Sequence, residues 1–256
     1  SCIDCHTVHA GDPAGQITDR NRGNAPCLRC HQDFRAEQDL VEHTRHAADS
    51  EGSLCYNCHM PDAAYGVMDI HRTHRIQPPD MLRDAGAGRS NACLTCHLDQ
   101  SPVWAAQELG QDPSALERID GTDPALAEAV IMLSGDPVQK AITAYRAGQP
   151  GAAAGGQRLW LLPYLLETLS DRYPSSRRFA QRSILAILDD LPPALALPQL
   201  HELITGFDFI ADAPVRAGHL ATVAAHWQAL DKSAWPAPPA SSGLDAAFNL
   251  PETLRE

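Results

Sequence analysis

Eight cysteines and twelve histidines carry the chemistry of this 256-residue chain. The cysteines form four C-x-x-C pairs, each followed at once by histidine: Cys2-Ile3-Asp4-Cys5-His6, Cys27-Leu28-Arg29-Cys30-His31, Cys55-Tyr56-Asn57-Cys58-His59 and Cys93-Leu94-Thr95-Cys96-His97. That is the attachment pattern of a c-type haem. Positions i and i+3 share one face of a helical turn, so both sulfurs of a pair can form thioethers with the vinyl groups of one porphyrin edge. The adjacent histidine then sits under the ring and binds iron axially. The expected cofactor is haem c in four covalently attached copies, with His6, His31, His59 and His97 as proximal ligands.

Other cysteine chemistries explain less. Two C-x-x-C pairs can form a zinc ribbon, but that site does not need a histidine after every second cysteine. A disulfide framework leaves the fourfold C-x-x-C-H repeat without a reason. A thioredoxin-like motif would occur once, beside a βαβ pattern, and none is seen.

Each iron then needs a sixth ligand or an open position. His9, His43, His46, His71 and His74 lie within the cysteine-rich segment, one more histidine than four haems require. His9 follows His6 by three residues and cannot reach the opposite face of the same haem, so it is expected to ligate a different one. His43 and His46 form one H-x-x-H, and His71 and His74 another. Met60, Met68 and Met81 are the alternative ligands. With so many spare histidines, bis-histidine coordination is the expectation.

These residues resemble the multihaem c-type cytochromes of the doubled C-x-x-C-H kind. The resemblance spans roughly residues 1–110. It rests on residues 2–9, on Gly23-Asn24-Ala25-Pro26-Cys27, on His43-Thr44-Arg45-His46, on residues 50–61 with Cys58-His59-Met60-Pro61, and on Asn91-Ala92-Cys93. It implies that the H-x-x-H before the third motif and the histidine of the Arg-x-His segment after it are distal ligands, here His43, His46 and His74. The place of His71 is commonly not a histidine in such proteins, which leaves His9 as the fourth distal candidate.

What could position these residues differs along the chain. The first hundred residues hold nine arginines, no lysine, 14 acidic residues and three aromatics, Phe34, Tyr56 and Tyr65. Their apolar runs are short and broken, so side chains alone should not bury enough area to offset the entropy of folding. The porphyrins are expected to serve as the interior. Intervals of 21, 24 and 34 residues between successive pairs would keep neighbouring haems close, as electron tunnelling requires. Beyond residue 100 the chain becomes Leu- and Ala-rich. Ala180, Ile184, Ile187 and Leu188 mark one helix face, and Leu220, Val223, Trp227 and Leu230 another. Asp212 before Pro214 reads as a helix start. Residues 171–183 resemble the HEAT-like repeats that often follow such haem segments. The predicted fold is therefore mainly α. A tetrahaem segment of little regular structure (1–110) precedes an irregular α-helical, HEAT-like domain (111–235) and an extended, Pro-rich tail (236–256).

The net charge of −12 and the two lysines, Lys140 and Lys232, argue against nucleic acid as a partner. No apolar run reaches the length of a membrane span. The chain opens on Ser1-Cys2 and reads as processed or lacking upstream residues. Covalent haem attachment in bacteria occurs outside the cytoplasmic membrane, so a periplasmic or extracellular protein is expected. The leading functional expectation is electron transfer, to redox partner proteins or to copies of itself in an oligomer or extracellular filament. The alternative is a multihaem oxidoreductase of the nitrite or hydroxylamine type, which needs one open iron. No catalytic residue is assigned.

Overall fold

The computed structural model describes residues 2–7, 16–66, 68–120, 123–152, 158–251 and 254. The chain is mainly helical and divides into two compact units, Ser1–Pro61 with Thr73–Pro78, and Asp62–Arg72 with Pro79–Glu256.

The first unit is built of single turns. Three short helices, α1 (Ala25–Leu28), α2 (Glu37–Thr44) and α3 (Cys55–His59), alternate with 3-10 turns at Cys2–Asp4, Asp19–Asn21, Gln32–Phe34 and Glu51–Ser53. Among its described residues Leu40 is the one buried hydrophobic side chain. Polar bonds to the backbone do the knitting. Asn21 donates to the carbonyls of Asp4 (3.1 Å) and Cys5 (2.9 Å), and Arg29 donates to the Asn21 amide oxygen (2.8 Å). Asn24 donates to the Ser53 carbonyl and accepts from the Cys55 N–H, both at 2.8 Å. Each amide holds one cysteine motif against the next.

The second unit has an ordinary core. It opens with a hairpin the sequence did not suggest, β1 (Asp62–Tyr65) antiparallel to β2 (Asp69–Arg72), with Asp62 opposite Arg72 and Tyr65 opposite Asp69. Gly66, at φ +61°, supplies the left-handed residue where the chain turns. Helices follow: α4 (Met81–Gly86), α5 (Pro102–Glu108), α6 (Ile131–Ser134), α7 (Pro137–Ala147), α8 (Leu162–Thr168), α9 (Pro174–Asp189), α10 (Pro198–Thr205) and α11 (Ala213–Ala229). Their starts are chemically marked. Asp136 accepts from the N–H groups of Val138 and Gln139 while Gln139 reaches back to the Asp136 N–H, a capping box with Pro137 in the first turn. Ser101 caps α5 ahead of Pro102.

Helix α9 packs against α7, α8 and α10, and α10 against α11. Ala180, Ile184, Ile187 and Leu188 are all buried, as their spacing predicted; on α11 Val223 and Trp227 are buried. The run from Leu159 to Leu166, the most apolar in the chain, becomes a 3-10 turn and α8 with nearly every side chain inside. Residues 236–251 lie against this unit. Phe248 and Leu250 are buried, the rings of Trp227, Trp235 and Phe248 touch in series, and the Tyr164 hydroxyl donates to the Ser242 carbonyl.

Residues 79–100 depart from the expectation of a core-poor first hundred residues. Met81, Ala92, Leu94 and Leu98 are buried, and Met81 and Leu94 join Ala105, Ala106 and Leu116 in a small cluster flanked by Cys93. The fourth motif therefore sits on a side-chain core, while the first three do not.

Candidate functional site

Each cysteine motif is one helical turn. The histidine N–H bonds the carbonyl of the first cysteine in three of them: His6 to Cys2 (2.9 Å), His31 to Cys27 (2.9 Å) and His97 to Cys93 (3.0 Å). The third motif is α3 itself. This winding turns both cysteines of a pair to one side. All eight cysteines are described and none is in a disulfide. Burial, then the neighbouring Cys55 and Cys5, pushes the Cys27 thiol up to about 11, and burial raises Cys55 as well. Cys5, Cys27 and Cys55, one sulfur from each of the first three motifs, are therefore close to one another. Among the described residues no three His, Cys, Asp or Glu side chains converge as a metal-ion cluster. A ribbon-type zinc site would need four.

The histidines of the first unit come together in pairs. The rings of His43 and His59 have centroids 6.2 Å apart and planes within 1°. Those of His6 and His74 are 6.0 Å apart at 34°. Both separations lie at the long end of the range for ring–ring contacts. They also match the separation of two imidazoles that would share a metal, about 6 Å for metal–nitrogen bonds of about 2 Å. The return of residues 73–78 makes this possible. The Thr73 N–H bonds the Pro61 carbonyl (2.9 Å) and the Gln77 N–H bonds the His59 carbonyl (3.1 Å).

Tautomers are set by the backbone. His59 Nδ1 lies 3.1 Å from the Gln77 carbonyl and His46 Nδ1 2.5 Å from that of Thr44. A carbonyl only accepts, so both Nδ1 atoms carry the proton and Nε2 keeps its lone pair for a metal. His43 and His46, three residues apart, are separated by a bend. His43 is in the last turn of α2, while Arg45 closes the helix in the left-handed region at φ +58°, its N–H on the Val41 carbonyl. His46 then packs against the backbone at Gly52, where a Cβ would stand 2.2 Å from its ring. The two histidines thus serve different places.

The other candidates divide. His71 lies in β2, 3.2 Å from Asp69 and edge-on to Tyr65. His9 lies outside the described residues. His97 rests against the Trp104 ring at 4.7 Å. In the helical half His219 Nε2 donates to the Leu203 carbonyl (2.7 Å) and packs on Phe207, a structural role.

The fourth motif has a polar frame that sequence reasoning missed. Asn91 accepts from the Cys93 N–H (3.0 Å) and donates to Asp84 (2.9 Å), which Arg89 also pairs (3.0 Å). Asn-Ala shortly before the first cysteine, at Asn24 and Asn91, was the available signal. Arg146 on α7 donates to the Thr95 carbonyl (3.0 Å), the Cys96 sulfur (2.9 Å) and the Asp62 carboxylate (2.9 Å). It is fifty residues from Cys96, and nothing local announces it.

The residues therefore fit haem: paired sulfurs on single turns, imidazole pairs spaced for one metal, correctly protonated rings, and a first unit with almost no side-chain core. In these features the chain is similar to multihaem c-type cytochromes. The family model described as "Doubled CXXCH motif" matches residues 1–36, which hold the first two motifs. That match supports covalently attached haem c and electron transfer. No curated protein and no solved structure matches the chain. Among the described residues no helix is long and apolar enough to cross a membrane.

Proposed function

We propose that residues 1–110 hold four c-type haems, each iron between two histidines, and that the protein is an electron carrier rather than an enzyme. The observation that carries this reading is the pair of ring separations, 6.2 Å for His43 with His59 and 6.0 Å for His6 with His74. His59 and His43 then hold the third haem, and His6 and His74 the first. His46 and His9 remain as distal ligands for the second and fourth, whose proximal ligands are His31 and His97. When bound, haem iron between two imidazoles supplies one-electron ferric/ferrous exchange and no open position for a substrate. The chain's part is to hold the His59 and His46 imidazoles in one tautomer through the carbonyls of Gln77 and Thr44, and to gather the sulfurs of successive motifs.

The electron is passed to redox proteins or to further copies of the chain, in a periplasmic or extracellular setting. Ile3, between the first two cysteines, is 65 % exposed. In the filament reading a further copy of the chain lies at this first attachment site. The helical, HEAT-like half acts as a docking and assembly module.

The test uses the native, haem-loaded protein. Mass and haem content should give four haems per chain, the ferric spectrum should be low-spin throughout, and carbon monoxide should bind poorly. One stoichiometric high-spin haem would transfer the reading to a multihaem oxidoreductase. Sizing and electron microscopy decide assembly, and a uniform monomer excludes the filament.

A further inference from the structure

Arg146 and Asp62 form an ion pair with side chains only 9 % and 8 % exposed. Such a pair is a poor device for stability. Desolvating both charges costs several kcal/mol, and apolar residues of similar volume are often as good or better. Two hydrogen bonds of the guanidinium go to weak or ordinary acceptors, the Cys96 sulfur at 2.9 Å and the Thr95 carbonyl at 3.0 Å. What the arrangement achieves is a permanent charge against one particular sulfur.

Three elements of the second unit hold it there. Helix α7 supplies Arg146, and the hairpin, packed on α7, supplies Asp62 from the start of β1. The motif turn supplies Cys96. Arg72 stands opposite Asp62 in the hairpin, and the Tyr145 phenol lies near the carboxylate. Arginine stays protonated at any ordinary pH, so this charge does not switch.

We infer that Arg146 raises the reduction potential of the fourth haem and that Asp62 limits the rise. This deepens the reading above and rests on it, since it requires a haem on Cys93 and Cys96. Reduction adds one electron to the haem, so a fixed cation nearby favours the reduced form and an anion opposes it. The interaction is strong because the site is buried and the effective dielectric constant low. Cys96 Sγ, a free thiol in this structure, would become the thioether sulfur that attaches the ring, and the guanidinium lies 2.9 Å from it.

The experiment is a spectroelectrochemical titration of the full, haem-loaded chain. A Cys93→Ala/Cys96→Ala variant identifies which reduction step belongs to the fourth haem. Arg146→Met should move that step to lower potential and Asp62→Asn to higher potential, with the other three steps in place. The double variant Asp62→Leu/Arg146→Met, which leaves no orphan charge, should fall between the two. If Arg146→Met fails to fold, the test rests on Asp62→Asn titrating above the double variant. Shifts in the same direction, or none, in folded four-haem protein overturn the inference and leave the pair a structural clamp. Three haems on the wild-type chain, with none on Cys93 and Cys96, would instead sink the tetrahaem reading.

Discussion

Alanine at position 52 would place a methyl carbon 2.2 Å from Cδ2, 2.4 Å from Cγ and 2.9 Å from Nε2 of the His46 ring. Non-bonded carbons rest about 3.5–4.0 Å apart, so ring or backbone must give way by about 1.5 Å. The consequence depends on what His46 does. An imidazole with no metal bond can swing to another rotamer at a cost of about 1 kcal/mol, plus about 1 kcal/mol for its bond to the Thr44 carbonyl. An imidazole bound to iron cannot, because metal–ligand distances are held to about 0.2 Å. With His46 as a ligand, Gly52→Ala should convert about one haem in four to a high-spin, carbon monoxide-binding form, as a single lost axial ligand would. In either case the strain of overpacking should appear as about 1–3 kcal/mol of lost stability. Electron paramagnetic resonance of the ferric protein, a carbon monoxide difference spectrum and a denaturant melt read all of this. A wild-type spectrum in a protein destabilised by that amount would remove His46 from the ligand set.

Three further outcomes follow from the geometry. His43→Ala should leave the third haem high-spin and reactive with carbon monoxide, whereas His71→Ala, which removes only contacts within the hairpin, should change neither spectrum nor ligand binding. Protein made without haem attachment should exchange its amide protons rapidly through residues 16–61, where Leu40 is the one described buried hydrophobic. Helices α7 to α9, around Leu165, Phe179 and Ile184, should stay protected; protection of both would refute the haem-as-core argument. Glu128 is buried, with Thr143 3.5 Å away, and burial pushes its carboxyl up to about 7. Its folded pKa is above its unfolded one, so its contribution to stability is full below about pH 4.5 and is lost as pH rises to about 7, by about 3 kcal/mol in all. Denaturant melts at pH 5 and pH 8 should show that loss, and Glu128→Gln should abolish it.

The attachment chemistry was legible in the sequence because it is local. Cys, Cys and His at i, i+3 and i+4 need one helical turn and nothing else, and each motif forms that turn. The same holds for α9, whose apolar positions repeat at helical spacing, and for the Asp212 start of α11. The scarcity of apolar runs in the first hundred residues likewise announced a segment with almost no side-chain core, which is what the structure has up to residue 78 among the described residues.

Tertiary structure decided how the local pieces are combined. His43 and His46 are equivalent in a pattern search, but the left-handed Arg45 and the close backbone at Gly52 send them to different places. His71 and His74 form the same H-x-x-H, yet the alternation of strand β2 puts His71 on the face of Asp69, while the return of residues 73–78 carries His74 to His6. Residues 79–100 look as core-poor as those before them until Ala105, Ala106 and Leu116 arrive from later in the chain. Arg146 belongs to the fourth motif only because α7 packs beside it. Ring pairing, ion pairing and burial depend on segments tens of residues apart, and periodicity in a single sequence carries no record of which distant segments meet.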